Sequence, residues 1–175
     1  MACNATITGR ALPCSDSLGG IKQVWLSPYA AGTYTAPTGG GVGHAVTTVY
    51  KNYVPQRNSS SMTQTITASR ENGTVFYSQV VTCVFSKLVA ADITDLQQIL
   101  QKRVHVIVED NNGNKMVMGV AHGVESQGGS VATGTAPGDL NGMTIELIAE
   151  ENLPAQFYDA ADDDAAATVT FTVTT

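Results

Sequence analysis

The sequence predicts a mainly β (α+β) fold: an antiparallel β-sandwich or barrel of about seven strands with one flanking α-helix over Leu88–Arg103. Three observations carry this. Runs of Val, Ile, Thr, Tyr and Phe recur along the chain, several in strict alternation with polar residues. Asn- and Gly-rich turn signals separate them, as at Glu71-Asn72-Gly73 and at Asp110-Asn111-Asn112-Gly113-Asn114. Only one stretch changes period: Val89, Ile93, Leu96 and Leu100 recur every three or four residues, which puts them on one helix face.

The elements follow in order. Residues 1–20 are small, polar and turn-rich. Ile21–Leu26 reads as a first strand, with Val24 and Leu26 on one face and Trp25 on the other. Ser27–Gly43 is a Gly- and Pro-rich loop, and His44–Tyr53 a second strand. Met62–Arg70 and Thr74–Phe85 form a long hairpin across the Asn72-Gly73 turn. The helix places Asp92 and Asp95 early and Lys102 and Arg103 late, which suits its dipole. Its Gln97, Gln98 and Gln101 make a neutral polar face suited to cover by a neighbour. Val104–Glu109 and Lys115–Ala121 make a second hairpin. His122–Gly142 reads as a long, glycine-rich contact loop. Met143–Glu150 alternates cleanly, with Met143, Ile145, Leu147 and Ala149 on one face and Thr144, Glu146, Ile148 and Glu150 on the other. Asn152–Ala167 reads as an Ala- and Asp-rich linker, and Thr168–Thr174 as a last strand with Val169, Phe171 and Val173 inward.

One domain is expected for 175 residues, with a real core. Charged residues make up 14 %, well under the ~25 % of an average soluble domain. A low-charge, Thr- and Gly-rich β protein fits a surface covered by copies of itself. The charge is also divided. Residues 1–115 hold all nine Lys and Arg against six acids; residues 116–175 hold nine acids and no Lys or Arg. The second half is a poor partner for a phosphate backbone, and the division suits head-to-tail packing of identical subunits. No secretory signal is expected at Met-Ala-Cys-Asn, and no apolar stretch reaches a membrane-spanning length. Cys83 reads as a small buried hydrophobe. Cys3 and Cys14 could pair, but the odd count and the lack of an export signal favour reduced thiols.

Chemistry is hard to find. Gly39-Gly40-Gly41-Val42-Gly43-His44 lacks the Lys-Ser/Thr of a phosphate loop and leads into a strand. The turn at 110–114 has Ala121 where a calcium loop needs a bidentate Glu, so a hairpin turn is expected. Asp162-Asp163-Asp164 has no organising turn for a cation. His44, His105 and His122 lack zinc-like spacing, and His105 reads as a satisfied sheet residue. No nucleophile elbow exists. Trp25, the lone tryptophan, sits in a core pattern rather than where a carbohydrate site would want it. No catalysis, cofactor or metal is expected.

Ser17-Leu18-Gly19-Gly20-Ile21-Lys22-Gln23-Val24-Trp25-Leu26 resembles an N-terminal glycine-glycine-isoleucine-lysine-then-aromatic signature of a group of phage structural proteins. Glu71-Asn72-Gly73-Thr74-Val75-Phe76-Tyr77 resembles the same group, as does Val106–Gly113 followed by Gly134–Gly142. With the expected architecture, these stretches resemble the tail tube proteins of tailed bacteriophages over residues 15–158. The resemblance implies a tail-tube-like β domain over 1–158. An acidic linker and terminal strand over 159–175 fall outside the pattern and are expected to pack on the same domain. It implies a virion tail protein, made in the host bacterial cytoplasm, that assembles with itself into hexameric rings stacked as a hollow conduit. Inner strands of neighbouring subunits would join into one sheet, and the Met62–Phe85 hairpin and Ser27–Gly43 would reach other copies. Its other partners would be tail proteins such as a tape measure, sheath or terminator. DNA would pass without specific binding, and no membrane is involved. Glu125, Asp139, Glu146, Glu150, Glu151, Asp162, Asp163 and Asp164 are the candidate lumen or interface acids. The alternative is a capsid decoration or head-fibre protein.

Overall fold

A computed structural model describes residues 9–10, 15–35, 41–159 and 169–172. The fold is mainly β, with one short helix and two sheets. The strands are β1 Ile21–Pro28, β2 Gly41–Val42, β3 Thr48–Tyr53, β4 Ser61–Ser69, β5 Thr74–Ser86, β6 Val104–Asp110, β7 Lys115–Met118, β8 Glu125–Ala132, β9 Gly142–Glu151, β10 Gln156–Tyr158 and β11 Val169–Thr172; helix α1 is Ala90–Gln101.

Seven strands form the larger sheet, in the order β11-β3-β1-β6-β7-β10-β2. It curls on itself: Phe171 of β11 meets Tyr158 of β10 with ring centroids 6.1 Å apart, although four strands lie between them in the order. Trp25, Tyr34, Val42, Tyr50, Ile107 and Val117 fill the inside of the curl. The outside of the curl packs on the smaller sheet, β4-β5-β9-β8. Val24, Leu26, Val106, Val108 and Met118 from one sheet meet Val81, Cys83, Ile145, Leu147 and Ala149 from the other. Alternation in β1 and β6 therefore serves two cores at once. Val24 and Leu26 point to one and Trp25 to the other, as the sequence predicts.

Several expectations are corrected. The expected loop His122–Gly142 contains β8, and the expected linker Asn152–Ala167 contains β10. Both are short or peripheral strands whose pairing comes from tertiary neighbours rather than from their own alternation. Gly129 of β8 lies so close to the Thr144 carbonyl that an added Cβ would sit 2.7 Å from it, so the glycine is what lets the strands approach. Within the expected loop Ser27–Gly43, Gly41–Val42 pairs in parallel with β10, and β11 pairs in parallel with β3, so the sheet is not wholly antiparallel. The second strand begins at Thr48, and His44 forms only an isolated bridge with Tyr34.

The helix is shorter than Leu88–Arg103, and its expected buried face is largely open. Val89, Ile93 and Leu100 are exposed, and Ile99 alone of the described apolar side chains on α1 enters the core. The Leu96 and Asp92 side chains lie outside the described ones. Lys102 caps the helix end, so no basic residue occupies the last turn. The helix lies at the margin of the two-sheet layer, where few of the described residues cover it. Cys3, Cys14, Val173 and Asp162 to Asp164 lie outside the described residues, so the expectations about them do too.

Candidate assembly surface

The four-stranded sheet has one face in the core and one face open. Registers place matched rows on the open face: Thr65, Ser78 and Glu150; Thr63, Val80, Ile148 and Glu125; Ser61, Thr82, Glu146 and Gly128; Val84, Thr144 and Ser130. All of these residues are exposed or half-buried, whereas Met143, Ile145, Leu147 and Ala149 on the opposite face are buried. The alternation of Met143–Glu150 is thus the one the sequence predicts. The reason is the pleat: successive side chains of a strand point to opposite faces.

Every charged residue in these rows is an acid. Glu146 and Glu150 lie four residues apart on one strand, about 13 Å at ~3.3 Å per residue. Neither has an ion-pair partner among the described residues. Glu125, at the margin, pairs with Arg103 at 3.0 Å, with both side chains largely exposed. The rest of the surface is Thr, Ser and half-buried Val and Ile.

The sheet has two outer strands. β4 offers nine uncharged residues, Ser-Met-Thr-Gln-Thr-Ile-Thr-Ala-Ser, and β8 eight with a single charge at Glu125. Neither carries the Lys or Pro with which proteins protect a free edge. β8 has a register shift between Ser126 and Gly128, and α1 stands beside it. Apolar side chains stay exposed at these margins: Ile66 at 61 % and Val131 at 53 %, with Val75 and Phe76 at the β4–β5 tip. Each pairing in the sheet is antiparallel, so β4 and β8 run in opposite directions.

The other predicted acids do not join this face. Glu151 is buried at 3 % exposure and accepts hydrogen bonds from Ala121 N (3.1 Å), His122 N (2.8 Å) and His122 Nδ1 (3.0 Å). It ties the chain between β7 and β8 to β9, a structural role that its position in the sequence does not announce. Asp139 accepts from Thr135 N (2.9 Å) and Ala136 N (2.7 Å), which hold its pKa below the usual carboxylate range. It shapes the turn between β8 and β9.

The remaining polar candidates are structural. Asp110 accepts from the backbone N–H groups of Asn112 and Asn114 and from both their side chains, so the 110–114 segment is a hairpin turn, as expected. Burial pushes the Asp110 pKa up, and these bonds to Asn114 and Asn112 more than reverse it. His44 Nε2 meets Tyr50 Oη at 2.8 Å, and Tyr50 Oη meets Tyr34 Oη at 2.7 Å, inside the curled sheet. Burial there raises the Tyr34 pKa well above its ordinary value, with Tyr50 adding to the shift. His105 Nε2 lies 3.2 Å from Ala30 N and 3.1 Å from Ala30 O. Its Nδ1 is buried without a well-aligned hydrogen bond among the described residues. Burial lowers the His105 pKa, against the opposing pull of the Ala30 and Gly119 backbone. Cys83 is buried and its thiol is pushed up to about 12, which suits packing and not nucleophilic attack. Among the described residues no group of three or more His, Cys, Asp or Glu could hold a metal ion. No helix among them is long and apolar enough to cross a membrane.

A cavity of about 300 Å³ lies between α1 and the β1–β3 side of the larger sheet, lined by Leu26, Val49, Tyr53, Ile99 and Val104 with Lys51 and Lys102 at its rim.

No family model, curated protein or solved structure matches this chain.

Proposed function

We propose that this chain is a structural subunit of a phage tail tube, which assembles with itself into stacked rings around a conduit for the genome. The observation that carries the reading is the four-stranded sheet whose two outer strands are of nearly equal length, run in opposite directions and lack the lysines and prolines that guard a free edge. When such a sheet is repeated about an axis, β4 of one copy lies beside β8 of the next, and the antiparallel alternation continues across the junction. Both edges of this sheet then find a partner, which a two-fold dimer through one edge would not achieve. Four strands ~4.8 Å apart give ~19 Å of arc per copy. The hexamer that the resemblance implies closes on a backbone circle about 37 Å across, with room for a DNA duplex.

The open face would line that circle. Glu146 and Glu150 then present negative charge to DNA, which repels its phosphates and keeps it from sticking. Glu125, tied to Arg103, sits at the junction instead. The exposed apolar residues Ile66, Val131, Val75 and Phe76 belong in this account to contacts between copies. The low charge of the chain supports the same reading. The place of work would be the tail of a virion.

Negative-stain microscopy of the purified protein tests the reading. Hollow rods with a regular ring repeat are the expected result. Small closed particles or trimers would instead place the chain among capsid decoration proteins.

A further inference from the structure

We propose that Asn72, at the tip of the β4–β5 hairpin, is a site of spontaneous modification, where the fold leaves one of three Asn-Gly pairs free to close into a succinimide. The chain has Asn72-Gly73, Asn112-Gly113 and Asn141-Gly142. Glycine is the least hindered residue to follow an asparagine, so all three share the intrinsic chemistry. Their surroundings separate them.

At Asn112 the side chain is held from both ends. Its Nδ2 donates to Leu18 O (2.9 Å) and Asp110 Oδ2 (3.1 Å), and its Oδ1 accepts from Leu18 N (2.8 Å). The attacking nitrogen is engaged too, since Gly113 N donates to Asp110 O at 3.3 Å. Gly142 is buried and paired on both sides, with Ser86 of β5 and Ala132 of β8, and Asn141 O accepts from Lys87 N. At the hairpin tip, residues 71–73 are all exposed. The Asn72 backbone N–H meets Ser69 Oγ at 3.3 Å, but its amide side chain has no hydrogen-bond partner among the described residues. Gly73 adopts a φ of 63°, a conformation that glycine reaches without strain. Amide and nitrogen are thus adjacent and unrestrained, and such proximity makes an intramolecular step fast.

The step balances as follows. A base, hydroxide or buffer, removes the Gly73 N–H proton. The nitrogen attacks Asn72 Cγ, a C–N bond forms, the Cγ–Nδ2 bond breaks, and ammonia leaves with a proton from water. Water then opens either C–N bond of the ring. One opening gives an aspartate at position 72; the other gives an isoaspartate that carries the main chain through Cβ and Cγ. Both add a negative charge at the tip, and the second inserts an extra backbone atom in the turn. Given the tube reading, on which this consequence alone rests, aged subunits would stack less well than fresh ones.

The test is incubation of the full chain in mildly alkaline buffer, followed by trypsin digestion and mass spectrometry. The peptide between Arg70 and Lys87 contains Asn72 as its sole asparagine. Its conversion is expected to run roughly a hundredfold faster than that at Asn112, whose amide must first release three hydrogen bonds. In denaturant the three rates should converge, because the selectivity comes from the fold. An unmodified Asn72 peptide, equal rates in the folded chain, or selectivity that survives denaturant would overturn the proposal. The Asn72→Gln variant should show no conversion in this peptide and should assemble like the fresh protein. The mass readout does not depend on assembly, so its failure and the failure of the tube reading are distinguishable.

Discussion

Ile66→Lys is the perturbation that separates folding from assembly most cleanly. Ile66 sits on the outer strand β4 and is 61 % exposed in the single chain. Burying a whole Ile side chain is worth about 1.5–3 kcal/mol, so covering its exposed part at a junction would add about 1–2 kcal/mol. A lysine there loses that gain and must also desolvate its ammonium or bend it back toward water, a further cost of a few kcal/mol in a dry junction. The total is roughly 3 kcal/mol per junction, more than a hundredfold in affinity at 1.4 kcal/mol per decade. The fold should hardly notice, because substitutions at exposed positions lie within about 0.5 kcal/mol. Sedimentation velocity reads the assembly and chemical denaturation of the dispersed variant reads the fold. The expected pair of results is loss of large species with an unchanged unfolding midpoint. Rods that form as readily as before would refute the reasoning about this edge; a variant that fails to fold would show that Ile66 supports its own chain.

Three further outcomes follow from the same structure. Leu147→Ala, at 3 % exposure between the sheets, should lower stability by about 2–5 kcal/mol in denaturant unfolding, while Ile148→Ala on the open face costs well under that. Glu146→Lys with Glu150→Lys should leave the fold intact and give assembled protein that retains duplex DNA. That binding should weaken with added salt, and a gel-shift or filter assay reads it. Stability should fall with acid over two pH windows, read as the denaturant midpoint against pH by circular dichroism. The folded pKa of His105 lies below the ordinary 6.5, so the folded state binds fewer protons there and stability falls as pH drops below that value. Glu109 is pushed up by burial but pulled down further by Lys22 and Gln23, a net lowering from 4.5; its contribution is present above that value and is lost as pH falls through its folded pKa. His105→Gln should flatten the first decline and keep the second.

The strong alternating segments were legible because one residue type per face was enough to define them. Met143–Glu150, the hairpin around Asn72-Gly73 and the two-faced Trp25 strand all stand where the sequence predicts. What escaped was set by neighbours. β8 reads as Glu-Ser-Gln-Gly-Gly-Ser-Val-Ala, with no apolar stripe, because an edge strand half in water needs none. β2 and β10 are too short to carry a period, and their parallel pairing joins segments far apart in the chain. A helix forms where the period changes, but a period says which residues share a face and not what covers it; Ile93 and Leu100 are exposed, and Val89 is the extended residue before the helix. The acids divided by strand parity. Glu146 and Glu150 share the open face, whereas Glu151, one residue on, points inward to a backbone latch. That last role had a faint signal in the oddness of two adjacent acids at a strand end.

The junction itself can be tested directly with engineered cysteines, one on the outer edge of β4 and one on β8, scanned along both strands in a background free of the native thiols. The account predicts that mixing a β4-only and a β8-only variant gives disulfide-linked dimers at matched heights, and that the double variant gives a ladder ending at a closed ring. Dimers of either single variant with itself, and none between β4 and β8, would contradict it.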